Sequence, residues 1–304
     1  MKTPAQHLWA LVLAGGDGIR LQSLTRLIAG APLPKQYCRI LGDRSLLEAT
    51  LERVAPLVPA ERTLAIVNRA HLALARPQLA RLPAANVLAQ PRNLDTGPGI
   101  LVSLLELARR DADATVAIFP SDHDIRDEAA FRGHVLEMAR LVARRPDEIV
   151  LLGARPDRPE TGYGYVAPGR RVEDTGAAFR VLAFHEKPAR SLAARIIRRG
   201  GLWNSFVMVG GVARFIALLR ALRPDDVARL APLPADPDAL GPAYDQMPPW
   251  NFSRGFLARI PQHLLVFRAD GLGWSDWGTP ESIERTFATM GIVPPWRAPR
   301  LATG

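Results

Sequence analysis

A glycine-rich segment, LAGGDGIRL, directly follows the first apolar run of the chain and offers the chemistry of phosphate binding. Its candidate ligand-binding residues are Gly15, Gly16, Gly18 and Arg20. Glycines let backbone N–H groups approach phosphate oxygens, and a guanidinium adds a charged, forked donor for the same anion. The spacing is neither a dinucleotide fingerprint, which has glycine where Leu21 stands, nor a Walker A loop, which needs Gly-Lys-Ser/Thr. Alone, the segment is equally compatible with an ordinary tight turn.

Lysine is rare in this chain, so the position of each lysine is informative. Only three of the 39 basic residues are lysines, and the two internal ones are Lys35 and Lys187. Lys35 follows a proline shortly after the glycine-rich segment. A compact ammonium beside a phosphate loop suits a transferring phosphoryl group, so we predict a role for Lys35 in the reaction.

Two aspartates are candidates for holding a divalent cation. Asp122 stands in FPSDHD at the end of an apolar run, and Asp276 stands in GWSDWGTP before a helical pattern. Mg²⁺ prefers one or two carboxylates together with substrate phosphates. Helix capping is the alternative role for both residues. We expect the neighbouring His123 to be a structural hydrogen-bonding residue rather than a metal ligand.

Polar groups elsewhere are suited to recognising a base and a sugar. In QPRNLDTGPG, Asn93 and Thr96 could read a nucleobase edge, although a helix N-cap by Thr96 explains the pattern nearly as well. Carboxylates, amides and peptide N–H groups suit sugar hydroxyls, and a lysine suits the phosphate of a sugar. The residues of this type are Glu160, Gly162, Glu186, Lys187 and Asn204. Singly, each is also compatible with a turn, an ion pair or a half-buried strand.

The elements that must position these residues alternate between short apolar runs and helical patterns. Strands are predicted at Trp9–Ala14, Thr63–Val67, Val87–Gln90, Thr115–Phe119, Ile149–Gly153 and Val181–His185. Helices are predicted at Leu46–Val54, His71–Leu82, Ile100–Arg110 and Ala129–Arg144. Alternation of this kind indicates an α/β protein with βαβ units on a mostly parallel sheet. Ligands bind beyond the carboxyl ends of such strands, where most candidates fall. After Gly153 the rhythm loosens, which predicts a second lobe that elaborates the sheet.

Composition excludes several classes of protein. With 48% hydrophobic and 23% charged residues among 304, an extended disordered chain is excluded. A single cysteine, Cys38, rules out an internal disulfide and a cysteine-based zinc site. No uncharged apolar run of about 18 residues and no secretion signal is found, so we expect no membrane association and a cytoplasmic location. The net charge of +9 comes from scattered arginines, which indicates a solvated arginine-rich surface rather than a nucleic-acid site, although anionic small substrates would also gain from the field.

Together, these segments resemble the sugar-phosphate nucleotidyltransferases, most closely the mannose-1-phosphate guanylyltransferases. The matching segments, in order, are LAGGDGIRL, PKQY, QPRNLDTGPG, FPSDHD, PETGYGYV, FHEKP, LWNSF and GWSDWGTP. The resemblance implies a Rossmann-like, GT-A-like nucleotidyltransferase fold: a mixed sheet flanked by helices, with a sugar-binding lobe. We expect one domain over 1–304, with a nucleotide-binding half at 1–153, a sugar-phosphate half at 154–290 and a tail at 291–304. Only 24 residues follow Pro280, so we expect a minimal catalytic domain.

The resemblance also implies roles for the candidate residues. The residues expected to bind the triphosphate are Gly15, Gly16, Gly18, Arg20 and Lys35. Those expected to bind magnesium are Asp122 and Asp276. The sugar phosphate is bound by Glu160, Gly162, Glu186, Lys187 and Asn204, while Asn93 and Thr96 lie near the base. Arg20, Lys35 and Lys187 are expected to assist catalysis.

The implied reaction transfers a nucleotidyl group from a nucleoside triphosphate, GTP favoured, to a sugar 1-phosphate, mannose 1-phosphate favoured. It yields a nucleotide sugar and pyrophosphate with Mg²⁺ as cofactor. A homo-oligomer is compatible with this expectation. Three positions depart from the family pattern, namely Ile19, Ser23 and Phe206, the last standing where glycine is expected after Trp-Asn-Ser.

Two other functions stay open at this point. Asp122 and Asp124 have the Asp-x-Asp spacing by which glycosyltransferases hold a metal and a nucleotide sugar. The glycine-rich segment with Lys35 suits a triphosphate better than a diphosphate sugar. A catalytically silent subunit that binds a nucleotide sugar is the third possibility, although binding alone needs fewer charges.

Overall fold

The computed structural model describes residues 7–173, 175 and 177–297. Within them, the strands of one mixed sheet are β1 (Leu8–Ala14), β2 (Thr63–Asn68), β3 (Val87–Gln90), β4 (Thr115–Pro120), β5 (Ile149–Ala154), β6 (Gly164–Arg171), β7 (Ala178–Glu186), β8 (Leu202–Gly211) and β9 (Leu264–Ala269). The helices of the same residues are α1 (Gln22–Ala29), α2 (Leu46–Val54), α3 (Leu72–Gln78), α4 (Thr96–Arg110), α5 (Glu128–Arg144), α6 (Arg190–Arg198), α7 (Val212–Leu222), α8 (Pro224–Leu230), α9 (Pro237–Asp245), α10 (Phe252–Gly255) and α11 (Pro280–Thr289).

The sheet has two regions with different pairing. Its strand order is β3-β2-β1-β4-β8-β5-β9-β7-β6. The first four strands are mutually parallel, as the alternating pattern predicts, and β5 pairs with β9 in parallel. Strand β8 lies antiparallel between β4 and β5, and β7 pairs antiparallel with both β6 and β9. The mixed α/β sheet expected from the sequence is therefore confirmed, with its antiparallel pairing concentrated in the second lobe.

The order of the first strands places the candidate residues at one edge of the sheet. Strand β1 lies between β2 and β4, so the chain winds outward in both directions from β1. A crevice opens at such a topological switch point, beyond the carboxyl ends of the strands. Gly15 directly follows β1, and Asp122 stands two residues after β4.

Apolar side chains cover both faces of the sheet and hold the helices on it. On one face, Leu101 and Leu104 of α4 join Leu219 of α7 in a cluster with the strands. On the other face, Phe131 and Met138 of α5 are fully buried against the opposite side of the strands. Burial of this apolar surface is the main force that keeps the helices in place, and the sheet edge between them stays open for ligands.

The six predicted strands are all present, whereas β6, β8 and β9 were not predicted. Strand β8 passes into α7 without a polar break, and periodicity alone cannot separate a buried strand from a buried helix in such an apolar region. The helix predicted over His71–Leu82 is shorter, because Pro77 in its last turn lacks an N–H donor. No helix in the described part of the chain is long and apolar enough to cross a membrane. The tail predicted at 291–304 lies beyond the described residues from 298 onward.

Candidate active site

A cavity of about 550 Å³ opens at the carboxyl ends of β1 and β4 and extends toward the second lobe. Ten of the residues singled out in the sequence line it: Gly15, Gly16, Arg20, Asn93, Thr96, Asp122, Gly162, Glu186, Asn204 and Asp276. Four others do not line it and lie around it, namely Gly18, Lys35, Glu160 and Lys187. The cavity therefore brings most of the candidates together from segments far apart in the chain.

Side chains from the Lys35 segment hold the glycine-rich loop from behind. Gln36 donates from Nε2 to the carbonyl oxygens of Ala14 and Gly16, at 3.2 and 2.7 Å. The hydroxyl of Tyr37 donates to the same Ala14 oxygen at 2.8 Å. Burial raises the pKa of Tyr37, which keeps its hydroxyl protonated as a donor. The loop is thus fixed through its carbonyl groups before any ligand arrives.

Gly18 serves the packing of the loop rather than lining the cavity. Its φ is 61°, in the left-handed region where residues with a Cβ are strained. A Cβ on Gly18 would lie 2.8 Å from Cα of Pro34 and 2.9 Å from N of Lys35. A glycine at this position therefore allows the backbone of the Lys35 segment to approach the loop closely.

Lys35 lies buried between the two aspartates proposed to hold a cation. Its Nζ donates to the carbonyl oxygen of Asp276 and, at 3.1 Å, to that of Trp277. The same Nζ is 3.2 Å from Oδ2 of Asp122, and only 8% of the lysine side chain is exposed. A buried ammonium requires such partners. Lys35 thus joins two segments that are more than 150 residues apart in the chain.

The neighbours of Asp122 keep its carboxylate ionised. Burial alone would raise the pKa of Asp122, but the charges of Lys35 and Arg20 hold that pKa below its ordinary value. Oδ1 of Asp122 is 3.5 Å from Nε2 of His123, whose Nδ1 accepts from Nε1 of Trp274 at 3.3 Å. Burial lowers the pKa of His123, which favours the neutral ring. The histidine fits the structural hydrogen-bonding role expected for it.

The segment that carries Asp276 is paired with the segment that carries Asp122. Asp124 and Ser275 exchange two backbone hydrogen bonds, of 2.9 and 3.0 Å, in an isolated antiparallel bridge. Oδ1 of Asp276 accepts from N of Gly278 at 2.7 Å, which orients that carboxylate. The two aspartates are therefore held at one side of the cavity by backbone geometry.

The donor set fits magnesium supplemented by phosphate oxygens. Across the part of the chain that the structure describes, no group of three or more His, Cys, Asp or Glu side chains is suited to a metal. Asp122 and Asp276 both face the cavity, which is open enough to admit a polyphosphate. Mg²⁺ commonly takes one or two carboxylates and completes its octahedron with water and substrate phosphates. The two residues therefore suit a cation that arrives with its nucleotide.

Asn93 and Thr96 are both engaged in local hydrogen bonds. Asn93 donates from Nδ2 to Oδ2 of Asp17 at 2.8 Å and accepts from N of Asp95 at 2.9 Å. Oγ1 of Thr96 accepts from N of Phe252 at 2.9 Å. The N-cap of α4 is Asp95 and not Thr96, so the capping role considered for Thr96 is corrected. These contacts tie the glycine-rich loop, through Asp17, to the start of α4.

Gln90, at the end of β3, is the first residue of the QPRNLDTGPG motif but was not among the predicted site residues. The residue is 3% exposed and lines the cavity, and its Oε1 has no hydrogen-bond partner within the part of the chain that the structure describes. The amide lies between two glycines: a Cβ on Gly15 would be 2.7 Å from Nε2, and one on Gly99 would be 2.9 Å from Oε1. A buried, unpaired amide oxygen in a cavity is suited to a ligand that donates a hydrogen bond. Its position at the carboxyl end of a predicted strand is the sequence feature that could have identified it as a ligand-binding residue.

The second lobe supplies the other end of the cavity. Burial raises the pKa of Glu186, while Lys187, Arg254 and a hydrogen bond with Ser253 oppose that rise. Ser253 and Asn251 line the cavity, although no sequence motif pointed to them. The lobe thus adds a carboxylate, an amide and a hydroxyl to the cavity wall.

Two candidates of the second lobe lie outside this wall. Oε1 of Glu160 accepts from the backbone N of Thr161 at 3.1 Å, and Oε2 is 3.5 Å from Arg158. Lys187 has a φ of 50°, and its half-exposed ammonium is 3.8 Å from the carboxylate of Glu186. Glu160 therefore stabilises its own turn, and Lys187 forms an ion pair with Glu186 beside the cavity.

Comparisons with known proteins agree with this arrangement. The family described as Nucleotidyl transferase matches residues 9–291. The xanthan biosynthesis protein XanB of Xanthomonas campestris pv. campestris (strain B100) is 37% identical over 218 residues, covering 70% of this chain and 44% of that protein. Mannose-1-phosphate guanylyltransferase ManC of Salmonella typhimurium is 33% identical over 295 residues, covering 91% of this chain and 58% of that protein. The chain thus spans about half the length of these curated relatives.

A solved structure extends the similarity to the whole fold. The crystal structure of a protein described as mannose-1-phosphate geranyltransferase from Thermus thermophilus superposes with a TM-score of 0.81 at 35% identity. The match covers 93% of this chain and 79% of that chain. Both lobes are therefore within the matched part.

Proposed function

Because the chain belongs to the nucleotidyl transferase family, we propose that it transfers a nucleotidyl group from a nucleoside triphosphate to a sugar 1-phosphate. The proposed substrates are GTP and mannose 1-phosphate, and the proposed products are GDP-mannose and pyrophosphate. Similarity to the mannose-1-phosphate guanylyltransferase ManC over 91% of the chain supports this choice of substrates.

One observation carries the proposal. The buried ammonium of Lys35 contacts both Asp122 and the backbone of Asp276, directly beside a glycine-rich loop that lines the same cavity. This arrangement concentrates positive charge, metal-binding carboxylates and backbone donors at one place. A triphosphate with its cation requires that combination, whereas a neutral ligand does not.

The reaction follows from how the site positions charged groups. A phosphate oxygen of the sugar 1-phosphate attacks the α-phosphorus, and the bond from that phosphorus to the bridging oxygen of pyrophosphate breaks. Because the nucleophile is already an anion, no general base is needed. Arg20 and the glycine-rich loop hold the triphosphate, and Lys187 steadies the sugar phosphate at the cavity mouth. Asp122 and Asp276 would hold Mg²⁺, which would supply further neutralisation of phosphate charge.

The two ends of the cavity suit the two substrates. Gln90, with its unpaired Oε1 between Gly15 and Gly99, faces the region where a base carried by the triphosphate would lie. Glu186 and Asn204 offer acceptors for sugar hydroxyls at the other end. The α-phosphate then falls between the ends, beside Asp122.

The glycosyltransferase alternative loses its main support. An Asp-x-Asp motif that holds a metal needs both carboxylates at the ligand, but Asp124 does not line the cavity. Its Oδ2 is buried and finds no hydrogen-bond partner among the described residues, and burial raises the pKa of Asp124 to about 6. Only the first aspartate of the pair is therefore placed to bind a cation.

The test is pyrophosphate release by the purified chain with Mg²⁺ and mannose 1-phosphate, offering GTP, ATP, UTP, CTP and dTTP separately. Asp122→Asn should lower turnover by about 10²-fold or more, because the charge at the reacting phosphates is lost. The exposed Asp113→Asn is the matched control and should act as wild type. Wild-type rates in the Asp122 variant would refute its metal role. If no pyrophosphate is released with any of the five nucleotides and a panel of sugar 1-phosphates, the catalytically silent subunit or the glycosyltransferase is favoured.

A further inference from the structure

Strand β8 contains a bulge at the cavity. Met208 pairs with Leu151 and Asn204 pairs with Gly153, so the three residues 205–207 of β8 lie opposite the single residue Leu152 of β5. Such bulges bend a strand and re-aim a side chain, and they are frequent beside active sites. Phe206 is the middle residue of this bulge.

The bulge is stabilised by its own hydrogen bonds. Oγ of Ser205 donates to the carbonyl oxygen of Leu152 at 2.6 Å and accepts from N of Val207 at 3.2 Å. Oδ1 of Asn204 accepts from N of Phe206 at 3.2 Å. The backbone at Phe206 is therefore held in one conformation by both neighbours.

Phenylalanine is an unfavourable residue for that conformation. The φ of Phe206 is 60°, in the left-handed region that bulges of this kind normally fill with glycine. The ring nevertheless lines the cavity, and it packs edge to face against Phe252 with centroids 6.3 Å apart. The protein thus accepts backbone strain at a position whose aromatic side chain lines the cavity. Strain of this type is concentrated at functional sites.

We propose that Phe206 determines which sugar 1-phosphates the site accepts. Its ring forms an apolar wall among the polar groups of Glu186, Asn204 and Ser253, which line the same end of the cavity. A hexose carrying only hydroxyl groups can place a C–H face against this wall. A hexose carrying an N-acetyl group needs the space that the ring occupies and is excluded. This inference rests on the proposed function, because it assumes a sugar 1-phosphate at that end.

The test compares wild type with Phe206→Gly and Phe206→Leu, using mannose 1-phosphate and N-acetylglucosamine 1-phosphate with the nucleotide that wild type prefers. Phe206→Gly should raise the ratio of kcat/KM for the N-acetylated sugar over mannose 1-phosphate by about 10-fold or more. Phe206→Leu, which keeps apolar bulk, should retain the exclusion. The matched control is Leu182→Gly, which removes an exposed leucine that does not line the cavity and should leave the ratio unchanged.

An unchanged ratio in Phe206→Gly, with wild type active, overturns the inference and leaves the proposed function standing. An equal rise of the ratio in Phe206→Leu also overturns the inference, because the size of the side chain would then not be the cause of the exclusion. If the glycine variant fails to fold, Phe206→Asn replaces it, since asparagine tolerates the left-handed region. If wild type makes no product, the proposed function fails. Titration calorimetry of both sugar phosphates with wild type and variant then decides the role of Phe206, and equal affinity ratios reject it.

Discussion

Replacing Gly18 with alanine is expected to displace Lys35 and so weaken both stability and catalysis. The new Cβ would lie 2.8 Å from Cα of Pro34 and 2.9 Å from N of Lys35, distances that real Cβ atoms do not show. Both neighbours are backbone atoms, which cannot move aside by a change of rotamer. The Lys35 segment must shift, and with it the ammonium that contacts Asp122 and the backbone of Asp276.

The size of the effect follows from two separable costs. A residue with a Cβ in the left-handed region costs about 1–2 kcal/mol, and forcing packed backbone apart costs about 1–3 kcal/mol more. Gly30 supplies the matched control, because its φ is 76° and a Cβ there would meet nothing within 4 Å. Gly30→Ala therefore carries the first cost alone. For a chain of this size, each kcal/mol lowers Tm by about 2 °C.

Thermal unfolding and pyrophosphate release together test this reasoning. Gly18→Ala should lower Tm by about 4–10 °C, and Gly30→Ala by about 2–4 °C. A displacement of about 1 Å at a positioned group can cost 10²-fold in rate, so only the Gly18 variant should lose kcat strongly. Equal losses of Tm and equal kcat in the two variants would refute the argument that Gly18 makes room for Lys35.

Two further predictions concern the hydrogen bonds of the loop and the titration of the second lobe. The free energies of unfolding lost in Asn93→Ala and in Asp17→Ala, measured by urea titration, should differ in sum from the loss in the double variant by about 1 kcal/mol. The reason is that the two residues share one charge-assisted hydrogen bond. A double variant that loses the full sum would contradict this. For Glu186, burial raises the folded-state pKa above the ordinary 4.5, so the folded state binds the proton more tightly than the unfolded state. The contribution of this proton to the free energy of unfolding is fully present below pH 4.5 and is lost as pH rises through the raised pKa. Tm of Glu186→Gln minus that of wild type should therefore increase from about pH 4 to about pH 8, and a flat difference would reject the buried carboxylate as the cause.

Local patterns were sufficient to predict the strands and the longer helices of the first half of the fold, whereas α1 was not predicted. Buried strands such as β1 and β4 are short, apolar and bounded by turn residues, and amphipathic helices such as α5 show a clear period. The rule that ligands meet the carboxyl ends of parallel strands then placed Asp122 and the glycine-rich loop at the same edge. Strand β8 could not be predicted, because its pairing with β4 and β5 depends on long-range antiparallel contacts.

The contacts of Lys35 show why residue types can be predicted without their geometry. Scarcity of lysine singled it out, but its partners Asp276 and Trp277 lie 241 and 242 residues later in the chain. No local spacing encodes such a contact. The same holds for Ser253, whose hydrogen bond with Glu186 joins a short helix to the end of β7. Sequence motifs therefore identified charged groups better than the residues that position them.

The charged groups at the phosphate end and the residues that shape the sugar end come from different parts of the fold. The groups proposed to act on phosphate, such as Arg20 and Asp122, stand near the ends of parallel strands that both faces of the core hold rigidly. The walls that a sugar would meet, including Phe206 and Ser253, come from the second lobe and from a bulged antiparallel strand. Loops tolerate substitution better than buried parallel strands do. Changes in the second lobe should therefore alter which sugar is accepted while the transfer step is retained, whereas changes at the strand ends should abolish transfer to every sugar.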